Sequence, residues 1–196
     1  MTLWGDILSH EGYLHKERHI KAFNDVKRED FLEGRYRYYA SVDEPMPLRH
    51  GQTQSAPHMD AIFVEAVDPE PEDIVLEIGT GSGYLTTILS FLCKRVISVE
   101  YYCDLAQAAA KSIARYGADN VDLICGNINS ICLRENFDAI ISTSSFRKEP
   151  NFLLSILKQD GILIFPLGSY PPQELIEIKS GKRAKLGIVS FVTIID

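Results

Sequence analysis

The chain has 196 residues, 45% of them hydrophobic and 24% charged, and a net charge of −7, which is the size and balance of one globular domain with a substantial core. Its basic residues are scattered apart from Lys182, Arg183 and Lys185, and an acidic chain without a positive face is a poor match for nucleic acid. No apolar run approaches the length of a bilayer span, and the opening residues lack a basic start followed by an apolar stretch, so the expectation is a cytoplasmic protein with no membrane segment and no leader.

From the amino end, Leu3, Trp4, Ile7 and Leu8 share a helical face, Gly12 interrupts, and Ile20, Phe23 and Val26 resume helical spacing. This predicts two helices covering the sheet or its ligand site, with His10, His15 and His19 at the surface. Residues 31–47 carry Tyr36, Tyr38 and Tyr39 before Asp43-Glu44-Pro45-Met46-Pro47. They read as an extended loop of the length that functional loops have, although the tyrosines serve equally well to pack it on the core. The stretch 50–58, His-Gly-Gln-Thr-Gln-Ser-Ala-Pro-His, leads into a helix at 59–67. By helix-entry chemistry alone, Ser55 ahead of Pro57 is expected to cap that helix.

Residues 74–78, Ile-Val-Leu-Glu-Ile, have the pattern of a strand buried on both faces. Gly79-Thr80-Gly81-Ser82-Gly83 follows at once, and a helix opens at Tyr84. Alternate glycines let the backbone turn sharply and let a ligand lie against it, and the helix start beyond offers free N–H groups. A second apolar run at 96–99 ends at Glu100, where open α/β nucleotide sites place an acid on a ribose hydroxyl. Tyr84 stands where a dinucleotide fingerprint needs its last glycine, which favours S-adenosylmethionine over a nicotinamide cofactor.

Further strands are predicted at 121–125, 137–142 and 162–166, with helices at 83–92, 104–115 and 151–158. After Pro166, residues 174–178 and 186–195 on either side of Ser180-Gly181-Lys182 read as an antiparallel pair. The predicted fold is α/β and Rossmann-like, a doubly wound, mostly parallel sheet with an antiparallel terminal pair and N-terminal helices. It forms a single domain over 1–196, with residues 1–56 as a helical and loop cap and 57–196 as the core. Ligands in such sheets lie beyond the carboxyl ends of the strands, which gathers residues 79–83, Glu100, Gly126, Asn127 and 142–145 along one edge. Asn127 reads either as an amide for an adenine edge or as a plain turn residue. The cysteines, Cys93, Cys103, Cys125 and Cys132, form no Cys-x-x-Cys pair and have no histidine at metal spacing, so buried thiols are expected, with no disulfide and no metal site.

The residues 26–31 (Val-Lys-Arg-Glu-Asp-Phe), 43–48, 51–59 and 75–84, with 137–141, 166–168 and 173–175, make the chain similar over nearly its whole length to the protein-L-isoaspartate (D-aspartate) O-methyltransferases. The glycine motif is shared by many methyltransferases, whereas Gly-Gln-Thr-x-Ser-Ala-Pro at this distance before it is specific to that family. The resemblance implies methyl transfer from S-adenosylmethionine, leaving S-adenosylhomocysteine, to the α-carboxylate of L-isoaspartyl and D-aspartyl residues in damaged proteins and peptides, which initiates repair. It implies that Ser55 is the active-site residue, that Gln52, Thr53, Gln54, His58 and Ser142 serve the acceptor, and that Glu77, Gly79, Thr80, Gly81, Ser82, Gly83, Glu100, Asn127 and Ile128 serve the cofactor. It also implies a monomer. This chain departs from the family pattern at Asn127-Ile128, where Asp-Gly is usual, at Gln54, where an apolar residue is usual, and at residues 142–146, Ser-Thr-Ser-Ser-Phe, where Val-Thr-Ala-Ala-Ala is usual. Those departures keep two alternatives in play: a different carboxylate acceptor, or a non-catalytic S-adenosylmethionine-binding domain.

Overall fold

The computed structural model describes residues 2–195. The chain begins with helices α1 (Trp4–His10) and α2 (Glu17–Asp25), passes through two short 3-10 turns, and forms a small antiparallel ribbon from β1 (Met46–Pro47) and β2 (Thr53–Gln54). Helix α3 (Pro57–Val67) leads into the main sheet, whose elements in chain order are β3 (Ile74–Ile78), α4 (Tyr84–Ser90), β4 (Arg95–Glu100), α5 (Cys103–Ala114), β5 (Val121–Cys125), β6 (Phe137–Ser142), α6 (Asn151–Leu154), β7 (Leu157–Leu167), β8 (Gln173–Lys179) and β9 (Lys182–Val189). The strand order is β5-β4-β3-β6-β7-β8-β9, parallel from β5 to β7 and antiparallel at β8 and β9. The order reverses direction between β3 and β6, which is where open α/β sheets form their ligand crevice.

Alternate residues of the central strands feed two cores, as strand geometry requires. Val75, Val96, Ala139, Ile141 and Ile164 pack with Trp4, Leu8, Phe23, Phe63, Val64 and Ile88 from the helices of one face. Leu76, Ile97, Ile140, Leu163 and Phe165 pack on the other face with Ile128, Phe146 and Leu153, supplied by loops and α6. The amino-terminal helices therefore share the main core. Of their expected apolar face, Trp4 and Leu8 are buried while Leu3 and Ile7 are exposed.

Several expectations are corrected. His19 is fully buried, its Nδ1 2.5 Å from Glu65 and its Nε2 3.4 Å from Asp68, because α2 turns that side toward α3. The helix expected over 151–158 ends at Leu154, and β7 begins at Leu157. A register shift pairs Leu157 with Phe137 and Ile162 with Ala139, so a bulge takes up the polar residues between them. The last strand begins at Lys182. Ser180 and Gly181 both have positive φ (48° and 72°), the conformation of a two-residue hairpin, so Lys179 and Lys182 pair directly. As an edge strand β9 carries charges that hide its periodicity, and residues 190–195 leave the sheet altogether. Cys103 and Cys125 are joined in a disulfide with their Cα atoms 5.2 Å apart, Cys93 is a buried thiol and Cys132 an exposed one. The pairing arises because the end of β5 runs beside the start of α5, a proximity that no sequence spacing announces.

Candidate active site

The glycine turn after β3 forms the centre of the site. Gly79 and Gly83 have φ of +97° and +86°; a Cβ on Gly79 would collide with the Thr143 hydroxyl, and one on Gly83 would lie 3.0 Å from Ile113 and 3.2 Å from Ala109. Both positions therefore exclude a side chain, and Gly79 and Gly81 line the pocket beside the turn. Glu77 and Thr80 brace the turn from below. Glu77 is fully buried and accepts hydrogen bonds from the Thr86 hydroxyl at 2.5 Å and the Ser98 hydroxyl at 2.6 Å, and Thr80 Oγ1 lies 2.6 Å from the same Ser98. Burial pushes the Glu77 carboxyl up to about 7, against the pull of the two hydroxyls. With Gln54, Asp60 and Tyr84, Glu77 lines a small polar chamber under the turn; the Gln54 amide, Glu77 Oε1 and the Tyr84 hydroxyl, all buried, have no hydrogen-bond partner there.

Glu100 closes β4 and is 5% exposed. Its Oε2 accepts from Gly81 N at 2.9 Å and its Oε1 from Tyr102 N at 3.0 Å. Burial raises its pKa, and the backbone donors hold it back. Around it, Ile78, Val99 and Ile128 give apolar walls, Tyr101 and Tyr102 an aromatic one, and Thr143, Ser144, Gln52 and Thr53 a polar entrance. These residues suit an adenosyl group in kind. The fourth side is residues 192–195, tied down by Ser145 N to Val192 O at 2.8 Å and Ile194 N to Ser145 O at 2.9 Å. Beneath this strap the free volume is about 60 Å3, against several hundred for a drug-sized ligand. Asn127 is committed locally: Oδ1 accepts from Asn129 N at 2.9 Å, and Nδ2 donates to Ile195 O at 3.3 Å.

Beside the turn lies an apolar cleft of about 580 Å3 lined by Pro45, Met59, Pro171, Pro172, Ile188 and Phe191, with Thr53, Ser55, His58 and Ser190 as its polar groups. Ser55 is not the helix cap: Ala56 holds that position and makes no side-chain capping bond, while Pro57 supplies the first turn. The segment carrying Ser55 is held by Arg28, which is 1% exposed and donates to the carbonyls of Val42 and Glu44, both at 2.6 Å, and of Ser55 at 3.4 Å. His58 is fixed by Asp43, through Nδ1 at 2.9 Å and its backbone N–H at 3.1 Å. Thr53 lines both the cleft and the adenosyl pocket, so the two adjoin at that residue.

The structure therefore places Gln52, Thr53, Gly79, Gly81, Glu100, Asn127 and Ile128 on the adenosyl pocket, Ser55 and His58 on the adjoining cleft, and Gln54, Glu77, Thr80 and Ser82 on the chamber under the turn. Ser142 stays apart, fully buried with its hydroxyl donating to Ser144 O at 2.7 Å; Thr143 and Ser144 reach the pocket instead. Sequence reasoning also missed His50, which stacks on Tyr102 with ring centres 4.1 Å apart and meets Asp104 at 2.8 Å. It missed Arg28 and the 192–195 strap, whose signals lie in partners distant along the chain. No group of three or more potential metal ligands occurs among the described residues.

Residues 5–196 match the family described as protein-L-isoaspartate(D-aspartate) O-methyltransferase. The chain is 38% identical over 198 residues to a Pyrococcus horikoshii protein named protein-L-isoaspartate O-methyltransferase, covering 97% of this chain and 90% of that one. It is 40% identical over 185 residues to the protein of that name from Myxococcus xanthus, with 92% and 86% covered. A Plasmodium falciparum crystal structure assigned to the same activity, in complex with S-adenosyl-L-homocysteine, superposes with a TM-score of 0.85 at 25% identity over 97% of this chain and 96% of that chain.

Proposed function

The chain belongs to the protein-L-isoaspartate(D-aspartate) O-methyltransferase family, and from that premise we propose that it methylates the α-carboxylate of L-isoaspartyl and D-aspartyl residues in damaged proteins and peptides, with S-adenosylmethionine as donor and S-adenosylhomocysteine as product. The observation that carries the acceptor half is Ser55 on the wall of the apolar cleft, with Thr53 shared between that cleft and the adenosyl pocket. The cofactor, when bound, supplies a methyl group already activated on a sulfonium. An α-carboxylate, with a pKa of about 3.5, is ionised at neutral pH and needs no general base. What the chain has to provide is alignment, which is worth on the order of 7 kcal/mol or more when a bimolecular step becomes an oriented one.

The backbone of residues 79–83 and the Glu100 carboxylate serve the cofactor. Each Glu100 oxygen accepts one backbone N–H, which leaves lone pairs for ribose hydroxyls. The Ser55 hydroxyl donates to the acceptor carboxylate and orients it without removing its charge, so it acts as a positioning donor and not as a covalent nucleophile. His58, oriented by Asp43, forms the polar side of the cleft, and the proline and aromatic wall takes the flanking peptide. We further propose that the protein acts as a monomer in the cytoplasm, which sedimentation and cell fractionation test.

The deciding experiment is transfer of a labelled methyl group to two peptides that differ only in one isoaspartyl linkage, followed by assay for a base-labile ester. Labelling of the isoaspartyl peptide alone is the expected result. Labelling of both, or of a small carboxylic acid instead, would replace the acceptor; cofactor binding with no transfer would make the protein a binding domain.

A further inference from the structure

The Cys103–Cys125 bond lies between the two loops that wall the adenosyl pocket. Cys103 opens α5 directly after Glu100, Tyr101 and Tyr102; Cys125 closes β5 directly before Gly126, Asn127 and Ile128; all six neighbours line the pocket. Besides this bond, the β4–β5 ladder ends where Glu100 pairs with Cys125, and one further backbone bond, Gly126 N to Glu100 O at 2.8 Å, joins the loops. The tie extends across the pocket. Asp104, next to Cys103, holds His50 at 2.8 Å, and His50 stacks on Tyr102; two residues later the chain reaches Gln52 and Thr53 at the entrance. One covalent link thus fixes the aromatic wall, the β5 loop and the loop carrying His50.

Both cysteines are exposed to solvent, and β5 is the outermost strand of the sheet. The bond is therefore open to attack, unlike a disulfide sealed in a core. We propose that it is a thiol-responsive latch on the cofactor site: closed, it holds the pocket walls in a binding arrangement; opened, it releases them and weakens cofactor binding. The inference rests on the S-adenosylmethionine assignment above. A dithiol is the reductant. Its thiolate attacks one sulfur to give a mixed disulfide, and its second thiol displaces the protein sulfur, so that the protein gains two electrons and two protons as two thiols while the dithiol becomes a disulfide. Oxidised glutathione reverses the change by two exchanges. With the latch open, Tyr101, Tyr102 and Asn127 sample more arrangements, and ordering them on binding lowers affinity.

The test is calorimetric titration of the protein with S-adenosylhomocysteine before and after dithiothreitol, alongside a thiol count in denaturant. We expect two free thiols, from Cys93 and Cys132, before reduction and all four cysteines as thiols after it. The Kd should be about tenfold weaker in the reduced form and recover on oxidation with glutathione disulfide. The double variant Cys103→Ser/Cys125→Ser should bind as the reduced protein does and ignore dithiothreitol. Four free thiols before reduction, or equal affinity in the two forms, would overturn the latch. Failure of both forms to bind S-adenosylhomocysteine falls first on the cofactor assignment and removes the latch with it.

Discussion

Ser55 is a position where chemistry and folding separate cleanly. It makes no capping bond to α3, so Ser55→Ala should leave the thermal midpoint within about 2 °C while removing a hydrogen bond to a charged acceptor, worth roughly 1.5–3 kcal/mol, which lowers turnover on an isoaspartyl peptide about tenfold or more. Unchanged turnover, or a trapped adduct on the serine oxygen, would remove it from the reaction. Glu77 offers a test by pH. Its carboxyl titrates at about 7 in the folded protein against 4.5 ordinarily. Between those values the folded state keeps a proton that the unfolded chain has lost, so the contribution is complete below pH 4.5 and disappears as pH rises through 7. The loss is roughly 3 kcal/mol. Glu77→Gln should abolish that part of the slope in denaturant unfolding between pH 4 and 8. Asp60 and Glu100 are also raised by burial, and Glu77 adds to the rise at Asp60, so the difference curve reads Glu77 together with its effect on Asp60, and parallel curves would refute the assignment. The glycine turn was legible in sequence because its signal is contiguous, whereas helix-entry chemistry read Ser55 as the cap of α3, a position that Ala56 holds. The partner of Asn127, the carbonyl of Ile195, was not legible, since it lies far along the chain. Nor was the burial of His19, which depends on Glu65 and Asp68 of another helix and its end.

Elements show what local pattern can and cannot carry. Strands β3 and β6 fall where their apolar runs predict, because strands buried on both faces are near-continuously apolar; β5, only partly buried at the sheet edge, also keeps its predicted bounds. Strands β7 and β9 were misplaced for opposite reasons: a bulge filled with polar residues conceals the first pairs of β7, and exposure of both faces of β9 removes the contrast on which periodicity depends. Within the segment between α2 and α3, the Arg28 guanidinium bridges the carbonyls of Val42, Glu44 and Ser55, beside such ties to the rest of the molecule as Trp4 Nε1 donating to Ala40 O at 3.0 Å. Burial lowers the pKa of Arg28 while Asp60 supports its charge. Arg28→Met removes all three bonds and leaves Asp60 without that counter-charge, so urea unfolding should show a loss of about 3 kcal/mol, with a higher KM for peptide because the Ser55 segment loosens. A loss under about 0.5 kcal/mol would mean that the loop is held by other contacts.

At the scale of the molecule, the amino-terminal segment and the sheet share one core: Trp4, Leu8, Phe23 and Val26 pack in the same cluster as Val64, Tyr84, Ile88 and Ile141. The division into a cap and a core foreseen from sequence is then a division of labour and not of stability. We propose a single cooperative domain, for which scanning calorimetry should give one transition with equal calorimetric and van't Hoff enthalpies; a separate low-temperature transition for residues 1–56 would divide it. The overall architecture was legible because strand and helix alternate along the chain. The packing of residues 192–195 across the adenosyl pocket was not, because an irregular segment has no period to read. That strap has a practical consequence for anyone preparing the protein. A bulky tag or fluorescent group attached within it would sit on a wall of the cofactor pocket. Helix α1 lines none of the cavities described, and it is the place for such a probe.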